Sequence, residues 1–350
     1  MVVLLLPLVA AILICDAWFY SLRPKWHKTP PNALQLQLYQ RLADTGLKGD
    51  ELATVGALTL GYKEDIDPEV KRHFQASGAA HVLAVSGLHT GILYGVLLWL
   101  LTIGGRFKPM HENQTGRCAI SLIIIVFMWG YAWLTGMTPS VVRAVLMVTI
   151  FEVGRMVYRQ AFSLNTIAAA AVLILLVRPS DLFSVSFQLS FSATAAIVLM
   201  AQEGEKALHR HKWLHTWKGR VLSWALGIII ISLAAQLGTL PITMFYFKQV
   251  STYFLLTNLI VLPLATFLVP CGLICIGLGG CWLGTLVGKI TWALAWLMNH
   301  SVGWIESLPF STFPARINGT MVVIYYVLWL CFCFFLKKNN IFLAYVKKKS

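Results

Sequence analysis

The residues able to do chemistry are few, far apart in sequence, and set into apolar runs. The stretch His81-Val-Leu-Ala-Val-Ser86-Gly87-Leu-His89-Thr90-Gly91 places polar side chains at 81, 86, 89 and 90. Ser86 and His89, three apart, share a face of a helix. A serine beside a histidine can supply a nucleophile and its base. Yet two side chains on one helical face point the same way rather than at each other. Neither a G-x-S-x-G elbow nor an orienting carboxylate accompanies them. Interhelical hydrogen bonding and the lining of a polar path are the expected roles. Hydrolysis within the membrane by Ser86 and His89 is the alternative. The segment Thr138-Pro139-Ser140-Val-Val-Arg143 starts a helix at a proline and carries a cation within it. Free amides and the positive end of the helix dipole can hold an anion there, with Arg143 supplying charge. An ion pair with Glu152 or another acid is the competing reading. Gln188 and Gln236 each interrupt an apolar run, and either a polar lumen or helix packing accounts for them. Pro139 and Pro241 are expected helix breaks.

Other constellations point away from metals and nucleotides. The seven cysteines (Cys15, Cys118, Cys271, Cys275, Cys281, Cys331, Cys333) lie in or beside apolar runs, with no C-x-x-C pair and no zinc spacing. The run His209-Arg-His-Lys-Trp-Leu-His215 lacks a carboxylate partner. Gly284-Thr-Leu-Val-Gly288-Lys289-Ile290-Thr291 looks like a phosphate loop, but its glycine spacing is one short and Ile290 stands where Ser or Thr is needed. No cofactor, metal or ATPase is therefore expected. Gly280, Gly284 and Gly288, like Gly87 and Gly91, repeat at four-residue spacing and read as close helix packing.

The elements that must position these residues are membrane helices. Of 350 residues, 58% are hydrophobic and 12% charged, with mean hydropathy +0.72. A soluble enzyme of this size needs more polar surface, and a disordered chain would be poor in apolar residues. The apolar runs are 2–15, 81–103, 118–135, 140–154, 163–177, 183–201, 221–246, 252–276, 280–300 and 319–336. At roughly 20 residues per crossing, that is about ten spans. The run at 140–154 is short, carries Arg143 and Glu152, and either spans or re-enters. The formal charge of +14 follows mainly from the bias of cytoplasmic loops toward Lys and Arg. Basic residues gather at 104–117, 155–162, 202–220 and 337–350, which places both termini inside the cell.

The fold class is thus an all-α polytopic membrane bundle. Residues 1–20 are read as an N-terminal anchor helix, and 21–80 as amphipathic juxtamembrane helices outside the cytoplasm. Residues 81–336 form the membrane domain and 337–350 a basic cytoplasmic tail. Within 21–80, helices are expected at Leu34–Leu47, at Glu51–Leu60 capped by Asp50 and closed by Gly61, and from Asp67-Pro68 to Gly78. Their apolar faces are expected on the membrane interface.

Four strings resemble the ComEC-type DNA-internalisation competence proteins. They are Leu58-Thr-Leu-Gly61 through Asp67-Pro68-Glu69 to His81…Ser86-Gly87-Leu88-His89; Leu134-Thr-Gly136…Pro139-Ser140-Val-Val-Arg143; Arg178-Pro179…Phe187-Gln188-Leu-Ser190-Phe; and Ala235-Gln236-Leu-Gly-Thr-Leu-Pro241…Asn258…Pro263. They run in order over about residues 50–270. The resemblance implies a bacterial inner-membrane channel for single-stranded DNA in natural transformation. It implies as partners a separate cytoplasmic ATPase or helicase and extracytoplasmic DNA receptors, besides the lipid bilayer; assembly of several copies is compatible with it. Complete members carry an OB-type domain and a metallo-β-lactamase-like nuclease domain. This sequence has no H-x-H-x-D-H metal signature, so the expectation is a transporter rather than an enzyme, with a truncated or inactive remnant as an alternative. Carried over position by position, the translocation-path candidates are His81, Ser86, His89, Arg143, Gln188 and Gln236.

Overall fold

The computed structural model describes residues 33–83, 85–102, 114–157, 164–209 and 216–333, with backbone alone at 201–209, 217 and 218. The anchor expected at 1–20, the tail at 337–350 and most of the His209–His215 run lie outside the described residues. Every apolar run from 81 onward becomes one helix. These are α4 (Gly87–Thr102), α5 (Gln114–Leu134), α6 (Pro139–Met156), α7 (Leu164–Val177), α8 (Val185–His209), α9 (Trp217–Phe247), α10 (Phe254–Leu278), α11 (Trp282–Glu306) and α12 (Gly319–Cys333). Before them come α1 (Ala33–Asp44), α2 (Gly49–Leu60) and α3 (Pro68–Ala76). Among the described residues, strand is confined to β1 (Gln249–Ser251) and β2 (Thr312–Pro314), which pair. The chain is an all-α membrane bundle. Among the described residues α5, α10 and the 219–247 part of α9 are long and apolar enough to cross a bilayer. The segments 87–102, 164–177, 185–200 and 319–333 are apolar but shorter.

The chain divides into two compact units. The first comprises residues up to Ser190 together with Ser251–Ser311. Its core is built around α2, which packs on α10, α11 and α1. Every residue of α2 from Ala53 to Leu60 is buried. The expectation of an interfacial apolar face therefore fails for α2: beyond its first turn it is enclosed by protein. Asp50 does not cap it. The cap position is Lys48, and Asp50 with Glu51 instead places negative charge in the first turn, where the dipole favours it. Gly61 does close the helix, with φ +74°. In α3, the Asp67 side chain accepts from the Glu69 amide at 2.7 Å and Pro68 is the first helical residue.

Between lipid-embedded helices the drive is close packing and hydrogen bonding rather than removal of apolar surface from water. The glycines are informative on this basis. A Cβ on Gly272 of α10 would collide with Thr59 of α2, and one on Gly288 of α11 with the Thr45 carbonyl. Gly280 faces Asp44, and Gly284 closes on the preceding turn at Gly279. A Cβ on Gly87 would reach Ala144 of α6 at 3.9 Å, whereas around Gly91 there is open space. Thr54 donates to Asn299 Oδ1 at 3.0 Å, tying α2 to α11.

The second unit holds Phe191–Val250 and the residues from Thr312. Its main finding concerns Pro241, expected to break the helix. α9 runs uninterrupted through it from Trp217 to Phe247. A proline lacks the amide that would bond the carbonyl four residues earlier. That carbonyl, on Leu237, accepts instead from Tyr325 Oη at 2.8 Å, and the next, on Gly238, from Tyr326 Oη at 2.7 Å. Tyr325 of α12 thus satisfies the carbonyl that the proline leaves open, and Tyr326 adds a bond at the next one. Pro139 behaves as expected: it opens α6 after the turn Thr135–Thr138, in which Gly136 and Met137 take positive φ.

Candidate functional site

Ser86 stands just before α4, at the cap position, and is not on the helical face assumed from sequence. Its non-helical backbone lets the side chain turn inward, so Ser86 and His89 do meet. The Ser86 amide donates to His89 Nδ1 at 3.1 Å, and Ser86 Oγ lies 3.1 Å from the same nitrogen. Because an amide can only donate, Nδ1 is an acceptor and the ring proton sits on Nε2. Ser86 Oγ therefore donates as well. The bond from the Ser86 amide is one half of a capping box, the third helical residue reaching back to the cap amide, with histidine in the place of the usual Glu or Gln. His89 is fully buried, and among the described residues its Nε2 has no partner. Among the described residues no carboxylate bonds the ring to orient it as a nucleophile's base is oriented. Thr90 adds a bond from its hydroxyl to the Ser86 carbonyl at 3.3 Å. His81 lies in the exposed turn after α3, its Nδ1 3.2 Å from the Gly78 carbonyl. His81 and Lys63 are within electrostatic reach of His89.

Arg143 lies in the second turn of α6, only 3% exposed. Its Nη2 donates to the Ser186 carbonyl at 3.0 Å and to Ser186 Oγ at 2.7 Å. Ser186 is the second residue of α8. The amino-terminal turn of α8 therefore meets α6 at Arg143, and that of α4 meets it one residue on, at Ala144. The positive end of α8 thus meets the buried guanidinium, while that of α4 packs on the same helix at Ala144. Gln188 donates from Nε2 to the Leu182 carbonyl at 3.1 Å, tethering the short 3₁₀ turn Pro179–Phe183 to α8. Gln236 is half-buried on α9, in the second unit.

The ion pair offered for Arg143 forms elsewhere. Glu152, fully buried, pairs with Arg155, whose Nη1 lies 2.9 and 3.1 Å from its two oxygens. Tyr94 Oη of α4 donates to Glu152 at 2.7 Å and Ser121 Oγ of α5 at 2.6 Å. Nine residues separate Arg143 from Glu152, which is 2.5 turns and puts them on opposite faces of α6. Sequence reasoning had counted Arg155 as a loop charge and passed over Tyr94, Ser121, Asp181 and Ser186. The three-residue spacing of Glu152 and Arg155 was the available signal. No comparable pattern marks Ser186, which becomes visible only when α6 and α8 are packed. Among the described residues no group of three His, Cys, Asp or Glu side chains could hold a metal ion.

A family model described as Competence protein matches residues 58–339. The chain is 33% identical over 221 residues to ComE operon protein 3 of Bacillus subtilis (strain 168), covering 63% of this chain and 26% of that one. It is 26% identical over 225 residues to Uncharacterized protein YcaI of Escherichia coli (strain K12), covering 62% and 28%. It is 24% identical over 216 residues to Recombination protein 2 of Haemophilus influenzae, covering 61% and 26%. The matches thus span about a quarter of the length of these relatives. No solved structure matches.

Proposed function

This chain belongs to the Competence protein family, and from that membership we propose that it is the membrane part of a system for DNA uptake, passing a single strand inward across the bacterial inner membrane. The observation that carries the reading is Arg143. A cation inside an apolar helical bundle costs on the order of 2.5–3.5 kcal/mol on insertion scales and is kept where it meets a ligand or a charge. Among the described residues Arg143 is bonded to neither: its hydrogen bonds go to the neutral Ser186, and Asp181 lies near it without forming an ion pair. Its place at the amino end of α8 suits the phosphates of a nucleic acid strand.

In this proposal Arg143, with His81, Ser86, His89 and Gln188 of the first unit, faces the translocated strand. Residues 81–336 are the channel domain, 21–80 lie outside the cytoplasm, and 1–20 and 337–350 place both termini inside. A separate ATPase or helicase drives the movement, and separate receptors deliver DNA. The chain acts as a transporter, and its Ser86–His89 contact serves capping rather than hydrolysis. The test is transformation frequency in a competent host with Arg143→Ala at unchanged membrane abundance. The expected result is a fall of at least about tenfold, the scale of one lost charged contact. Full uptake would remove Arg143 from the mechanism.

A further inference from the structure

The turn between α7 and α8 carries an acid beside the same guanidinium. Asp181 is 6% exposed and Arg143 3%. Asp181 accepts through its carbonyl from the Ser184 amide, two residues before the Ser186 that Arg143 binds, and among the described residues no direct ion pair joins the two charges. Arg143 Nη2 is engaged with Ser186, and among the described residues its buried Nε has no partner. The acid is held by its surroundings. Pro179 sets the start of the 3₁₀ turn, and the Asp181 amide bonds the Arg178 carbonyl at 3.1 Å. The Ser184 amide bonds the Asp181 carbonyl at 2.9 Å, Ser184 Oγ caps α8 through the Phe187 amide at 3.2 Å, and Gln188 clamps Leu182. Every turn of backbone on either side of Asp181 is therefore fixed. Burial pushes its carboxyl upward, against the opposing pull of Arg178 and Arg143. A carboxylate preset near a cation, but not bonded to it, lowers the net positive potential there without blocking the guanidinium.

We infer that Asp181 is an internal counter-anion that sets how tightly Arg143 takes a phosphodiester. This rests on the reading of the chain as a DNA conduit. Passage requires a contact favourable enough to admit each phosphate and weak enough to release it. An unopposed buried arginine would hold the strand; Asp181 returns the site toward neutrality once a phosphate leaves.

The experiment uses the full chain in phosphatidylcholine nanodiscs and a fluorescein-labelled oligothymidylate, with anisotropy recorded across a salt series. Asp181→Asn is expected to bind about fivefold tighter, with a salt slope steeper by about 0.7, the share of one further phosphate contact on a single strand. Asp181→Glu, which keeps the charge, matches the parent. Arg143→Gln binds at least about tenfold more weakly, and adding Asp181→Asn to it changes nothing further. Asp181→Ser is a second neutral variant, read in the same way if the Asn variant does not remain monodisperse. Unchanged affinity in the neutral variants, or tightening that persists without Arg143, overturns the role of Asp181 while leaving the conduit intact. A parent chain that does not bind the oligonucleotide overturns both.

Discussion

Glu152 is a buried charge bonded from three helices, and its surroundings decide what its loss would do. Three hydroxyl or guanidinium groups from α4, α5 and α6 converge on one carboxylate with no exposure. Removing one partner of such a buried pair costs about 3–5 kcal/mol, because the other charge is stranded. Glu152→Ala is therefore expected to lower the apparent melting temperature in detergent sharply, and Glu152→Gln, which keeps an acceptor for Tyr94 and Ser121, to lower it less. Equal melting of the alanine variant and the parent would mean that the cluster does not hold the helices together. At this scale the sequence was legible for residue type but not for partner. That a buried Arg143 and a buried Glu152 matter follows from the expense of charge in lipid; which group each one meets depends on helix faces. The same limit applies to Ser86 and His89: their contact depends on α4 starting at Gly87 rather than at 81, and one turn of helix decides whether two side chains diverge or touch.

The elements themselves were readable because apolar runs have only one way to satisfy their backbone in a bilayer. Each run after residue 81 is a helix, with edges moved by a few residues. What escaped was rescue by a neighbour. Pro241 looks like a break to any local rule, and the rule is overruled by two phenols arriving from α12. This yields a two-variant cycle. Tyr325→Phe leaves the Leu237 carbonyl without its donor and is expected to cost about 1–2 kcal/mol of stability. Pro241→Ala restores the backbone amide, so Tyr325→Phe in that background is expected to cost much less. Thermal unfolding of the four proteins in detergent measures the difference; strictly additive losses would show that the phenol and the proline are uncoupled. α2 escaped for a related reason: its polar-flanked composition resembles a surface helix, but Gly272 lets α10 close over it at Thr59 and Asn299 of α11 bonds Thr54.

For the whole molecule, composition settled the environment, since a chain with 58% hydrophobic residues has no soluble solution at this size. Orientation is the property still to be measured. With the C-terminus inside, a fluorescent-protein fusion after Ser350 is expected to glow and an alkaline phosphatase fusion there to be inactive, with the reverse pattern refuting the assignment. The division into two units, each with its own helices, was not readable from residue order, because α10 and α11 return to the first unit after α9 has left it. The cluster around Glu152 also bears on biogenesis. α6 carries Arg143, Glu152 and Arg155 and is a poor candidate for solitary release from the translocon into lipid. Its stabilising hydroxyls, on Tyr94 and Ser121, belong to segments synthesised earlier, so they are already waiting when α6 emerges. Chain order is then itself a chaperoning device: a permuted gene that delivers α6 before α4 and α5 would leave its acid undefended at the moment of insertion.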